Sequence, residues 1–348
     1  MKRFLILTAI LFGFFLSYQI LKITAQRKYM AQISTKETKG KTLKIFSPDF
    51  FTERNIYESF KKRYDANLKY TIKDKPEDFR EIKNIVDVII YPSYLYKNLI
   101  SDTIIPLENN KIKNIENLMD NYITFMKRNY SQNGNIYAIP VAYSPYAIYF
   151  NPSKVSKSTK GKELINKNYK IALADNMGSF LTLCKIFGKN PDTKGLDMIK
   201  KILSQKPVFF NIENPALGMA TLQKEKPDVI VAPSYLKGFF EREAGSFEAV
   251  LPDEGTYADL YLISMAKGSD NELGYIFINH LLDPLIHKNL TDIMGLGITN
   301  KTSLASISAV NYNFLKMNFP EYLNKFYLLS SEEEYNKTEQ IFKSFKND

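Results

Sequence analysis

The sequence predicts an α/β protein of two lobes, the first assembled from two separate stretches of chain, with a central ligand cleft between them. Three observations carry this reading. A segment is nearly duplicated between the two halves, strand and helix patterns alternate around both copies, and extended apolar runs mark where the chain passes between halves. The copies, Asp87-Val-Ile-Ile-Tyr-Pro-Ser-Tyr-Leu95 and Asp228-Val-Ile-Val-Ala-Pro-Ser-Tyr-Leu236, agree at seven of nine positions, 141 residues apart. Each reads as a buried strand, a tight Pro turn, and a Ser that caps a following helix. In an open α/β sheet such junctions gather ligands, because strand ends and helix N-termini meet there. Two of them offer equivalent edges to one shared cleft. The alternative is chance repetition in a chain rich in Ile, Tyr and Ser, with both tyrosines packed in core.

The elements follow in order. Lys2 and Arg3 precede an apolar run from Phe4 to Ser17, a charged region and hydrophobic region typical of export. Residues 1–25 are therefore a signal peptide, cut after Ala25, or an uncleaved anchor, since apolar character continues to Ile23 and approaches the roughly 20 residues that span a bilayer. The polar, aperiodic stretch 26–41 reads as a linker. A strand from Thr42 to Ser47 leads into a helix from Glu53 to Tyr64, whose Ile56, Phe60 and Tyr64 recur every four residues. A strand at Leu68–Ile72 completes the unit, and the first duplicated segment supplies the next. Asn135–Pro140 and Tyr146–Asn151 read as a return strand and a crossover flanking Pro145. Alternation then resumes: strand 169–173, helices 177–188 and 194–205, strand 207–211, helix 214–224, strand 228–232, helix 234–243 and strand 247–251. Tyr261 to Ala266 crosses back, and four helices follow at 271–282, 284–294, 303–317 and 332–345. Such alternation indicates a mainly parallel sheet covered by helices. The lobes are then 42–145 with 252–348, and 146–251.

Composition limits the function. At 348 residues the chain is long enough for two domains of common size, with 45% hydrophobic and 24% charged residues. The net charge of +10 comes from scattered lysines rather than a compact stripe, so nucleic acid is not an expected partner. One cysteine, Cys184, excludes an internal disulfide and a multi-thiolate metal site, and its apolar helical setting reads as core. The two histidines, His280 and His287, lie beside leucines in helical sequence without a metal-spaced acidic partner. No Gly-rich phosphate loop, Gly-x-Ser-x-Gly elbow or His-Glu-x-x-His occurs. Neither a metal nor a cofactor is expected, and the chain is not expected to be an enzyme.

What remains is a recognition inventory at strand ends. It comprises Asp49 and Phe51 after the first strand, Ser93 and Tyr94 after the strand from Asp87, and Asp175 and Asn176 after Tyr169–Leu173. Ser234 and Tyr235 follow the strand from Asp228, and Tyr257, Asp259 and Tyr261 follow the turn at Gly255. Should these edges meet, the cleft has tyrosine walls and up to three carboxylates. Aromatic faces attract organic cations at roughly 0.5–2 kcal/mol each, and a carboxylate adds a charge-assisted hydrogen bond. Each carboxylate also has a simpler reading, as a helix cap or surface group.

Ordered along the exported chain, several segments resemble the periplasmic solute-binding proteins of ABC importers, in particular the spermidine/putrescine-binding branch. They are Leu43-Lys-Ile-Phe46, Asp87 to Tyr94, Ile139-Pro140 before Ala147-Ile148 and Asn151, and Asn214-Pro-Ala216. Arg242-Glu-Ala-Gly245, Pro252-Asp-Glu-Gly255 and Phe277-Ile-Asn-His-Leu-Leu-Asp-Pro284 continue the series. The resemblance implies a two-lobed, type II periplasmic-binding-protein-like fold closing on one small ligand, a polyamine, for delivery to a membrane permease. It implies a monomer and no chemistry. Tyr94 matches the family's tyrosine. The chain departs from the pattern elsewhere: it has no Trp, Pro48 and Phe51 stand where a Trp and an aromatic are usual, and Asn176 and Ser179 stand where the family has Asp and Glu. Ser234 or Tyr235 falls where a Trp is usual, and Tyr261 or Asp259 where the final Asp is usual.

Three functions are then in play. The first is a polyamine-binding transport protein with Tyr94 and Tyr235 as facing walls, or the same fold for a metal chelate or carboxylate. The second is an anchored sensor that passes no cargo. The third, an exported hydrolase, would need His280 or His287 to act in catalysis.

Overall fold

The computed structural model describes residues 38–347, apart from 53, 73–77, 80–81, 83–84, 157–160, 167–168, 204–205, 243–246, 270–271 and 318–319. The expected signal or anchor segment and most of the linker lie outside the described residues.

Thirteen strands occur among the described residues. In chain order they are β1 Thr42–Ser47, β2 Asn67–Ile72, β3 Val88–Pro92, β4 Ile104–Ile105, β5 Ser131–Gln132, β6 Asn135–Ile136, β7 Ile139–Phe150, β8 Ile171–Ala174, β9 Val208–Phe210, β10 Val229–Pro233, β11 Glu248–Val250, β12 Ala258–Ala266 and β13 Gly297–Ile298. Eleven join in the order β2-β1-β3-β12-β7-β10-β8-β9, with β4 on β12 and β11 and β13 on β7. The blocks β2-β1-β3 and β10-β8-β9 are parallel. Between them run the antiparallel strands β12 and β7. Strands β3 and β10, the duplicated segments, are buried at every position, as expected of parallel strands covered on both faces.

Strand β7 joins the two halves. Its residues up to Pro145 pair with β12, and Tyr146 to Phe150 pair with β10. The reading of two runs broken at Pro145 is thus corrected: one strand of 12 residues passes straight through. Pro145 sits where the strand changes partner, the kind of ladder position where a missing N–H is tolerated. Asn135 and Ile136 instead form half of a small separate hairpin with β5. Beside Tyr146 runs the returning chain: Tyr146 N donates to Tyr257 O at 2.9 Å, and Thr256 Oγ1 donates to Tyr146 O at 2.7 Å. A third pass lies alongside, with Tyr327 N donating to Thr256 O and Ala258 N to Tyr327 O. Gly255 makes this possible. Its φ is +102°, and a Cβ there would fall 2.3 Å from Lys325 O.

Two further expectations are corrected. Ser93 and Ser234 do not cap helices. Pro92 and Pro233 end their strands, and each Ser opens a short 3₁₀ turn, Ser93–Leu95 or Ser234–Leu236, with no side-chain cap. The helix expected at 303–317 is two pieces, Lys301–Ser306 and Ala309–Phe314. The break is at extended Ile307, after which Ser308 caps the second piece through Asn311 N. The helix Arg54–Tyr64 buries Ile56, Phe60 and Tyr64, the face given by their spacing. Cys184 is buried, and burial raises its thiol to about 12.

Candidate functional site

A cavity of about 1040 Å³ opens where the carboxyl ends of β3, β8 and β10 converge. From the first half come Pro48, Pro92 and Tyr94, and from the second come Asp175, Asn176 and Tyr235. Tyr146 of β7 and the start of β12, with Tyr257, Asp259 and Tyr261, line the bridge between them. The helix Glu332–Asn347 supplies a further wall through Tyr335, Glu339, Phe342, Lys343 and Lys346.

Local structure aims each group. β3 ends at Pro92, and the 3₁₀ turn that follows carries Tyr94 onto the cavity. Tyr335 stacks on it, with centroids 4.7 Å apart and planes 23° apart. Asn176 is the N-cap residue of the helix Met177–Phe187 but makes no side-chain cap bond. Its amide instead hydrogen-bonds the Tyr146 hydroxyl, and its Oδ1, enclosed, has no partner. Gly178 sits beneath that ring, since a Cβ would lie 2.2 Å from Tyr146 Cζ.

Asp259 lies at the start of β12, in the cavity lining. It touches the cavity on one side and protein elsewhere. Tyr257 Oη donates to its Oδ1 at 2.5 Å, and no Lys or Arg among the described residues pairs with it. Burial pushes its carboxyl up to about 6, against the lowering effect of the Tyr257 bond. Tyr146, Tyr257 and Tyr261 have hydroxyls held well above their ordinary value, first by burial and then by the Asp259 charge. They stay neutral at working pH.

Not every sequence-selected residue reaches the cavity wall. Tyr94, Asp175, Asn176, Tyr235, Tyr257, Asp259 and Tyr261 do. Phe51 is fully buried behind it, edge-on to Tyr261 at 5.6 Å. Ser234 is buried and donates to Gly295 O at 2.8 Å, while Ser93 bonds the Tyr130 hydroxyl. The side chain of Asp49 lies outside the described residues. Sequence reasoning placed the last helix but selected neither it nor Tyr146 for the cavity, although Tyr335, Glu339, Phe342 and Lys346 recur at spacings of four, three and four, one helical face.

Among the described residues, no His or Cys lines the cavity. His280 packs edge-on to Phe60 and Tyr64 and lies 3.2 Å from Ser59 Oγ; His287 is fully buried. No group of three or more potential metal ligands occurs among the described residues, nor is any helix there long and apolar enough to cross a membrane.

No protein-family model and no curated protein matches the sequence. Solved structures do match in fold. The spermidine/putrescine ABC transporter substrate-binding protein PotD of Streptococcus pneumoniae is 18% identical, with a TM-score of 0.70 over 88% of this chain and 99% of that one. The TpPotD lipoprotein of Treponema pallidum is 14% identical, with a TM-score of 0.67 over 88% and 100%. The GacH receptor of Streptomyces glaucescens, solved without ligand and with acarbose, is 15% identical, with a TM-score of 0.69 over 88% and 92%. The chain thus has the two-lobed fold of ABC-transporter substrate-binding proteins, a fold shared by proteins named for polyamines and by a receptor solved with acarbose.

Proposed function

We propose that the protein is an extracytoplasmic substrate-binding protein that captures a small organic cation of the polyamine class, spermidine or putrescine, and delivers it to the permease of an ABC importer. One observation carries the reading: the cavity encloses a carboxylate, Asp259, that has tyrosines around it and no Lys or Arg paired with it among the described residues. An unpaired carboxylate in such a setting is costly, and an ammonium group arriving with the ligand offsets that cost. Tyr94 and Tyr261 supply aromatic faces for the methylene chain and its charge. Asn176 Oδ1, an acceptor without a partner, serves the second-lobe end. The charged and apolar run at the N-terminus supports export.

Aromatic walls also suit a neutral sugar, and the fold of the GacH receptor, solved with acarbose, favours that as the second reading. A thermal-shift panel of putrescine, spermidine, spermine and a maltodextrin separates the two. The proposal expects the melting temperature to rise with the amines alone. A rise with the sugar alone, or with none of them, removes the polyamine assignment.

A further inference from the structure

We infer that Lys346 is an internal counter-cation that occupies one carboxylate of the cleft, Asp175, and so disfavours ligands that place a second ammonium there. The inference rests on the reading of the cavity as a cation site and adds what sets its preference among cations.

Lys346 Nζ lies 2.5 Å from Asp175 Oδ2, across 171 residues of sequence. The lysine is not on a loose tail. One residue before it, Phe345 packs against Phe180 at 5.8 Å and Phe209 at 5.6 Å, and Phe342 packs against Phe209 at 5.8 Å. These rings fix the last helical turn on the second lobe and hold the ammonium over Asp175. One turn back on the same helix, Lys343 pairs with Glu339 at 3.2 Å. Among the carboxylates lining the cavity, Asp175 and Glu339 are each paired with a lysine of this helix, whereas Asp259 is paired with no Lys or Arg among the described residues.

A ligand with one ammonium satisfies Asp259 and leaves Lys346 in place. A ligand that brings a second ammonium to Asp175 must exchange it for Lys346 there, although Asp78 and Glu213 also line the cavity. The pair is partly exposed, 43% for the lysine side chain and 24% for the aspartate. Such pairs are weak enough for a ligand to displace, at a cost of up to about fivefold in affinity.

Calorimetry on the full chain and on Lys346→Gln, with n-butylamine and spermidine as probes, tests this. The variant keeps the polar length of the side chain, and its melting temperature controls for folding. Spermidine should bind Lys346→Gln about three- to fivefold more tightly than the parent, with a smaller change for n-butylamine. An equal change for both amines, or none for either, overturns the inference and leaves the cation-binding reading standing. Absence of binding of either amine to either protein overturns both.

Discussion

The ring of Tyr335 lies stacked on that of Tyr94, 4.7 Å between centroids, although 241 residues separate them (335 minus 94). The contact ties the last helix to the turn after β3 at the cavity edge. Near its other end the same helix is tied to Phe180 by Phe345 and to Asp175, just after β8, by Lys346. One helix of 16 residues therefore touches both the β3 and the β8 sides of the cavity. Removing Tyr335 takes away a stacked partner and uncovers Tyr94, which is 6% exposed. Tyr335→Ala and Tyr94→Ala should each lower stability, and a double-mutant cycle in urea should return a coupling of about 1 kcal/mol.

Asp259 gives a prediction of unusual sign. Its carboxyl is raised from 3.8 to about 6, so the folded protein binds its proton more tightly than the unfolded chain does. Stability from this group is full below pH 3.8 and is lost as pH rises through about 6. Asp259→Asn should therefore make the unliganded protein more stable at pH 7.5, on the order of 2 kcal/mol after allowance for contact with cavity water. The gain should vanish near pH 4, as denaturant titrations at the two pH values would show.

Ligand binding has the opposite pH dependence. A cationic ligand selects ionised Asp259, so affinity should hold above pH 7 and fall below about 6, approaching tenfold per unit. Calorimetry with putrescine from pH 5 to 8 checks the slope.

The histidines supply an acid sensitivity of their own. Burial first lowers His280 from 6.5 to about 4 and His287 to about 3. Both are neutral in the fold, so their stability contribution is full above pH 6.5 and declines as pH falls below it. Between pH 6.5 and 4.5 each should cost on the order of 2 kcal/mol, counter to Asp259. His287→Leu should remove part of this loss and leave amine binding at pH 7.5 intact. Loss of binding would return that histidine to functional consideration.

Gly178 tests the packing beneath Tyr146. An added Cβ would meet Cζ at 2.2 Å, so either the ring or the helix must move. Gly178→Ala should cost about 1–3 kcal/mol and weaken ligand binding by at least tenfold, read by thermal denaturation and calorimetry.

Much of the architecture was legible because its signals are local. The runs of β3 and β10 and the four-residue spacing of Ile56, Phe60 and Tyr64 declare themselves without tertiary help. Strand ends were legible too, and so Tyr94, Asp175 and Asp259 could be selected from sequence. Pro145 misled because Pro ordinarily ends a strand, whereas here it falls where β7 changes partner. Ser93 and Ser234 misled because N-cap preference is short-range, and Ser234 finds its partner instead in Gly295, 61 residues away. The last helix showed an apolar and charged face in sequence, but periodicity cannot say which surface a face covers. Only the fold brings Lys346 to Asp175.

The central claim is that Asp259 receives the ligand's ammonium in this cavity. It is tested most directly by calorimetric titration of spermidine into the parent protein and into Asp259→Asn at pH 7.5. The account predicts one saturable site in the parent and no measurable binding in the variant, with the variant folded and more stable than the parent. Equal affinity in the two proteins, or no heat in the parent, would contradict it.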